Sequence, residues 1–153
     1  MRQSLGAYRA TGPRWIEPYF LALLAEAYGN AGQVHEGLHV MTEALDVIGT
    51  TREFAWEAEL YRIKGELLLN AKCELRKKEW TPEDCFKKAL DVARDQQAKS
   101  WELRAAMSLS RLWQQQDRQA EARQLLAEVY NWFTEGFDTA DVKEAKALLE
   151  KLI

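Results

Sequence analysis

One pattern recurs three times in this chain and limits its fold more than any other feature. Leu24-Ala25-x-x-Tyr28 returns as Lys64-Gly65-x-x-Leu68, and again as Leu109-Ser110-x-x-Trp113. A small residue followed three later by a large one suits two crossing helices. The small side chain lets the backbones approach, and the large one fills the gap beside it. Each motif has a second-helix partner: Gly37-x-x-x-Met41-x-x-Ala44, Pro82-x-x-x-Phe86-x-x-Ala89 and Ala122-x-x-x-Leu126-x-x-Val129. Ala25 to Ala44 and Ser110 to Val129 each span 19 positions. Gly65 to Ala89 spans 24, an insertion of five near Lys72 to Trp80. Similarity at a fixed offset is the mark of stacked helical repeats.

The apolar periodicity agrees. It predicts a partial helix over 1–12, where Leu5 and Tyr8 share a face. A first full helix follows from Pro18 to Ala31, with Phe20, Leu24, Ala27, Tyr28 and Ala31 in register and Gly32 as its stop. Gln33 to Ile48 carries Val34, Leu38, Met41, Leu45 and Ile48 on one face, with the small Gly37 and Ala44 beside it. A long helix over 53–76 places Trp56, Leu60, Ile63 and Leu67 together. Thr81-Pro82-Glu83-Asp84 is a strong start signal, and Phe86, Ala89, Leu90 and Ala93 follow it. Lys99 to Gln116 turns Leu103, Ala106, Leu109, Leu112 and Trp113 inward. The next helix starts near Arg118 with the stripe Ala122, Leu125, Leu126, Val129, Tyr130 and Phe133. Gly136 reads as its stop, with Phe137 as the accompanying apolar contact, and Asp138 or Thr139 as the cap of a last helix burying Val142, Ala145, Leu149 and Leu152. No stretch alternates as a strand does.

The fold expected is therefore all-α, a single domain over 1–153. Its parts are the partial helix at 1–12, unit 1 at 18–49, unit 2 at 53–96 with an insertion near 72–80, unit 3 at 99–135, and a cap helix at 139–153. Helix-turn-helix units at this spacing resemble the tetratricopeptide repeat (TPR), whose period is about 34 residues. Ala25 to Gly65 is 40 positions and Gly65 to Ser110 is 45, so the units here are longer. The resemblance implies a right-handed α-α superhelix of about three helix pairs.

A narrower resemblance rests on YRATG (8–12), PYFLALLAEAYGNAGQ (18–33), EAELYRIKGELLL (57–69), AKSWELRAAMSLSRLW (98–113) and WFTEGFDTADVKEAKALL (132–149). These look like the C-terminal TPR-like region of bacterial multidomain proteins that join an adenylate or guanylate cyclase to an AAA-like (STAND) ATPase. The chain has neither a phosphate-binding GxxxxGK[ST] motif nor cyclase metal carboxylates in context. The resemblance thus implies a scaffold or sensor segment without its effector. The partial helix at 1–12 would be the tail of a preceding repeat.

Composition removes other classes. Net charge is −3, and Lys and Arg are dispersed along the chain, which disfavours nucleic acid as a partner. No apolar run approaches the roughly 20 residues of a membrane span. Cys73 and Cys85 lack zinc-site spacing and read as reduced thiols of a cytoplasmic protein.

If the units stack as TPRs do, the first helix of each lines a concave face. Phasing on the small residues puts Tyr19, Glu26 and Asn30 there from unit 1, then Glu59, Arg62, Glu66 and Asn70, then Arg104, Met107, Arg111 and Gln115. Mixed charge with Asn and Gln suits an extended polar peptide, whose backbone needs amide partners. The TPR subfamily that clamps C-terminal carboxylates needs Lys and Asn where this chain has Ala22 and Glu26, so the resemblance argues against that ligand.

His35-Glu36-x-x-His39 matches the zinc-protease helix signature. Phasing on Val34, Leu38 and Met41 turns both histidines away from the buried face, and Thr42 and Leu45 break the extended signature. A third ligand would have to come from a distant Glu57 or Glu59. The expectation is no catalysis and no cofactor, with adventitious metal binding by His35 and His39 left open. Trp113 and Trp132 are expected in the core, with Trp15, Trp80 and Trp101 at segment edges.

The function expected is a non-catalytic protein- or peptide-interaction module, its partner a separate protein or other domains of a larger parent. A small-ligand sensing domain is the alternative, and a zinc hydrolase the remote one. Homodimerisation through residues 1–12 is a separate expectation, motivated by the uncovered Leu5 and Tyr8.

Overall fold

The computed structural model describes Gly6, residues 14–71 and residues 80–152. Of residues 1–12 only Gly6 is described, and it is helical. Leu5, Tyr8, Cys73 and the insertion at 72–79 lie outside the described residues, and so does the dimer surface expected at 1–12.

Seven α-helices and no strand occur among the described residues. They are α1 (Glu17–Asn30), α2 (Val34–Thr51), α3 (Glu57–Asn70), α4 (Pro82–Asp95), α5 (Lys99–Gln115), α6 (Gln119–Tyr130) and α7 (Ala140–Lys151). Short 3-10 turns, Arg14–Ile16 and Phe54–Trp56, lead into α1 and α3. The helices pack as successive hairpins: α1 with α2, α3 with α4, α5 with α6. The first helices also touch in sequence, α1 on α3 and α3 on α5, while α7 closes over α5 and α6. The all-α expectation holds.

The small residues do what their spacing predicts. Ala25 and Ser110 are fully buried, and so is Gly65. A Cβ on Gly37 would lie 3.1 Å from the Ala25 carbonyl oxygen. In unit 3 the same juxtaposition is a hydrogen bond, Ser110 Oγ donating to the Ala122 carbonyl at 3.0 Å. In unit 2 the Phe86 ring occupies the space a Gly65 side chain would need.

Three of the connections share one geometry. Gly32, Gln97 and Asp117 each take a left-handed φ, of 74°, 54° and 60°. The next residue then donates its N–H five residues back: Gln33 to Tyr28, Ala98 to Ala93, Arg118 to Trp113. These are Schellman closures, which satisfy carbonyls the helix end leaves open. The start of α4 is closed as the sequence predicts. Thr81 Oγ1 accepts from Asp84 N at 3.1 Å, and Asp84 Oδ2 accepts from Thr81 N at 2.9 Å.

Several boundaries and faces differ from expectation. In α1 the buried set is Glu17, Pro18, Leu21, Ala22, Leu24 and Ala25, while Ala27, and Ala31 just past the helix end, are exposed. The cause is that α1 packs on both α2 and α3, so its buried arc turns toward two neighbours. The buried face of α2 is likewise rotated to Gly37, Val40, Met41, Ala44 and Ile48, leaving Val34, Leu38 and Leu45 half-buried. α3 ends at Asn70, not near residue 76, and α6 ends at Tyr130. Gly136 (φ 74°) therefore shapes the loop after α6 and is not that helix's stop. Phe137 does pack on Tyr130, ring centroids 6.3 Å apart. Thr139 is the N-cap of α7, but its Oγ1 donates to the Gly136 carbonyl and makes no cap bond. Trp132 is 57% exposed, its ring under Lys99 Nζ, because it follows the end of α6 and points off the bundle. Leu148, unassigned in the sequence reading, is buried beside Val142 and Ala145, and Leu149 is half-buried.

One ionic junction ties units 2 and 3 together. Glu83 accepts from Trp113 Nε1 at 3.0 Å and pairs with Lys87 at 2.8 Å and Arg118 at 3.2 Å. The Lys87 hydrogen bond, with those from Trp113 and Arg118, outweighs desolvation and holds the Glu83 carboxyl at about 2. A lowered folded pKa gives stability that is complete above the unfolded value and fades as pH falls through the folded one. Wild type should therefore exceed Glu83→Gln in stability by about 1 kcal/mol at neutral pH, the screened worth of a partly exposed cluster. The gap should close between pH 5 and pH 2. Urea midpoints of the two proteins across that range check this, and a pH-independent gap would refute it.

Candidate functional site

The exposed faces of α1, α3 and α5 lie side by side, and the repeat places equivalent residues in rows across them. Six residues before each small residue stand Tyr19, Glu59 and Arg104. One after stand Glu26, Glu66 and Arg111. Five after stand Asn30, Asn70 and Gln115, an amide in every unit.

Five of the eleven expected residues line one cleft between α1 and α3. Glu26, Asn30, Arg62, Glu66 and Asn70 surround a volume of about 210 Å³, with Gly29, Ile63 and Leu67 completing its wall. Gly29 leaves room for the Leu67 side chain, since a Cβ there would sit 2.7 Å from Leu67 Cδ2 and displace that methyl.

At the base of the cleft is an ionic network. Arg62 donates twice to Glu59, Nε to Oε2 at 2.9 Å and Nη2 to Oε1 at 2.8 Å. Arg104 reaches the same carboxylate at 2.9 Å. Arg62 also lies 3.8 Å from Glu26 and 3.6 Å from Glu66. Glu66 accepts from the Ser108 hydroxyl at 2.7 Å, which links α3 to α5. Burial opposes the Arg62 charge, but the Glu59 hydrogen bonds and the fields of Glu59, Glu66 and Glu26 outweigh it and raise its pKa.

Two of these residues are less open than a groove lining requires. Glu59 and Arg62 are 8% and 9% exposed, so they form the network's buried core and Arg62 shows only an edge to the cleft. Met107 is 3% exposed and belongs to the main hydrophobic core, where it cannot meet a ligand. Its position is equivalent to that of Ala22 and Arg62, which also face inward. Arg111 pairs with Glu144 of α7 at 2.6 Å, and Gln115 is exposed at the end of α5.

An aromatic row borders the network at the other end of the face. The Tyr19 ring lies 4.7 Å from Trp56, tilted by 36°, and Trp56 meets Trp101 edge-on at 5.9 Å. The Arg104 guanidinium lies 5.5 Å over Trp101. Sequence phasing placed Tyr19 on this face but not Trp56 or Trp101. The row's signal is that Trp56 and Trp101 both stand nine residues before the small residue of their unit. Ser108, Gly29, Ile63 and Leu67 were also missed. Ser108 follows the core Met107 in sequence, and nothing local marks it as a cleft residue.

His35 and His39 are both exposed on α2, the second helix of its pair. Glu59, the distant carboxylate considered as a third ligand, is engaged by two arginines. Among the described residues no group of three or more His, Cys, Asp and Glu side chains is placed to hold a metal. No helix among them is long and apolar enough to cross a membrane.

No protein-family model matches this chain. A search of the curated proteins finds no match either.

Proposed function

We propose that the chain is a TPR-like right-handed α-α superhelix and a non-catalytic module for binding a protein or peptide. In this reading it is the scaffold or sensor segment of a bacterial cytoplasmic signalling protein. Its partner is a separate protein or another domain of a larger parent.

The observation that carries the reading is the cleft. Asn30 and Asn70, equivalent residues of two units, line it together with Glu26 and Glu66. Carboxamides offer a donor and an acceptor each, and they suit the backbone of an extended peptide. A lining this polar fits a peptide better than an apolar small ligand, which calls for predominantly hydrophobic walls.

Peptides selected on the immobilised protein from an unbiased displayed library provide the test. The selected peptides should bind wild type and lose roughly tenfold or more in affinity to an Asn30→Ala/Asn70→Ala variant. Both residues are exposed, so the thermal midpoint should stay unchanged. Failure to select any peptide, or equal binding to both proteins, would overturn the reading.

A further inference from the structure

We infer that the α1–α3 cleft selects a basic side chain, lysine or arginine, on the bound peptide; this rests on the peptide-binding reading above. Three carboxylates, Glu26, Glu59 and Glu66, face two guanidinium groups, Arg62 and Arg104, which leaves one negative charge uncompensated within the network.

That charge is not spread evenly. Both arginines are directed at Glu59, with contacts of 2.8 to 2.9 Å. Glu26 and Glu66 stand 3.8 and 3.6 Å from Arg62, beyond hydrogen-bonding distance. Their side chains stay 47% and 39% exposed, one on each wall of the cleft. The surplus negative charge therefore sits where a ligand arrives.

The shape fits a long cationic side chain. Ile63 and Leu67 give the wall an apolar strip, and Gly29 keeps it open. Lysine and arginine carry an aliphatic stem behind a charged head, so the stem covers apolar surface while the head meets the carboxylates. Asn30 and Asn70 are then placed for the adjoining peptide groups. An acidic side chain has no equivalent welcome. The guanidinium lining the cleft is nine-tenths buried and already gives two hydrogen bonds to Glu59.

The test uses fluorescence anisotropy with three labelled peptides of one length and one Gly-Ser backbone, carrying central Lys and Arg, central Glu, or central norleucine. The basic peptide should bind most tightly, with affinity falling as salt rises. Glu26→Gln/Glu66→Gln should weaken it by about tenfold, from the loss of two partly exposed charge contacts. Glu128→Gln, a neutralisation on exposed α6 surface, should leave it unchanged. Should the double variant lose stability through the Ser108 contact, Glu26→Gln alone should still weaken binding severalfold, since Glu26 has no hydrogen-bond partner among the described residues. Equal binding of the three peptides, or a basic preference that survives Glu26→Gln, overturns the inference and leaves the peptide reading standing. If library selection also yields no binder dependent on Asn30 and Asn70, both fall.

Discussion

Phe86→Ala should cost the protein about 3–5 kcal/mol of unfolding free energy, the usual range for deleting a fully buried aromatic ring. Phe86 has no exposed surface and belongs to the main core with Ala89, Leu90, Leu103 and Ala106. Its ring packs directly on Gly65, so α3 and α4 meet at the one place in unit 2 where α3 has no side chain. The protein cannot close the void without moving a helix. The complementary change, Gly65→Ala, should cost about 1–3 kcal/mol by overpacking, since a methyl group would run into the same ring. The two sites share one space, so their effects should not add. Gly65→Ala/Phe86→Leu should be more stable than the sum of its single changes, because leucine vacates the plane the ring occupied. Urea denaturation of wild type, Phe86→Ala, Phe86→Leu, Gly65→Ala and the double variant measures this. Strict additivity, or a Phe86→Ala cost below about 1 kcal/mol, would mean that the helix pair is not organised on this contact.

Arg62→Ala is the second large effect, expected at about 3 kcal/mol. Removing one partner of a buried pair leaves the other charged and desolvated. Here the stranded group is Glu59, 8% exposed and hydrogen-bonded twice by Arg62. Arg104 still contacts Glu59 at 2.9 Å, which places the loss at the lower end of the range for buried pairs. A Glu59→Met/Arg62→Met variant should recover most of the loss. It removes both charges together and fills the site with apolar atoms, and Arg104 is open enough to turn toward solvent. Chemical denaturation of the single and double variants decides it; a double variant no better than Arg62→Ala would show that the pair stabilises through more than mutual neutralisation. A practical consequence follows for binding studies. Charge reversal at Arg62 mixes folding with recognition, whereas Asn30, Asn70 and Glu26 report on recognition alone.

Much of this architecture is legible residue by residue. Gly32 announces its turn because glycine tolerates a positive φ. Gln97 and Asp117 adopt the same left-handed conformation in equivalent turns and announce it far less: aspartate enters that region more readily than most residues but mostly lies outside it, and glutamine has no such preference. There the Schellman hydrogen bonds and the packing of flanking helices impose the conformation. The Thr81 start was legible as a capping hydroxyl followed by Pro82 and two acids, because those signals lie within four residues; the return bond from Thr81 N to Asp84 is added by the structure. The α1 stripe is about one residue, roughly 100°, out of phase with the true buried face, the two sharing Leu24. A periodicity shows that one side is buried, but not that two neighbours claim adjacent sides.

The candidate site divides the same way. Repeat phasing brought Glu26, Asn30, Arg62, Glu66 and Asn70 to one face, and they line one cleft. It placed Met107 there with equal weight, although that side chain is in the core. It also treated Arg62 and Glu59 as open groove residues, when both are buried by contacts from other helices.

What the sequence by itself determined is the local and periodic part: helices, the small-large contacts between paired helices, the α4 cap, and which residues occupy equivalent positions. Those depend on interactions within a turn or between two segments of matched spacing. What only the tertiary structure decided is which equivalent positions stay exposed, which carboxylate captures both arginines, and where negative charge is left over. Each depends on distances between side chains from three helices, some 40 residues apart in the chain, and burial and Coulomb energy are set by those distances and not by order along the chain.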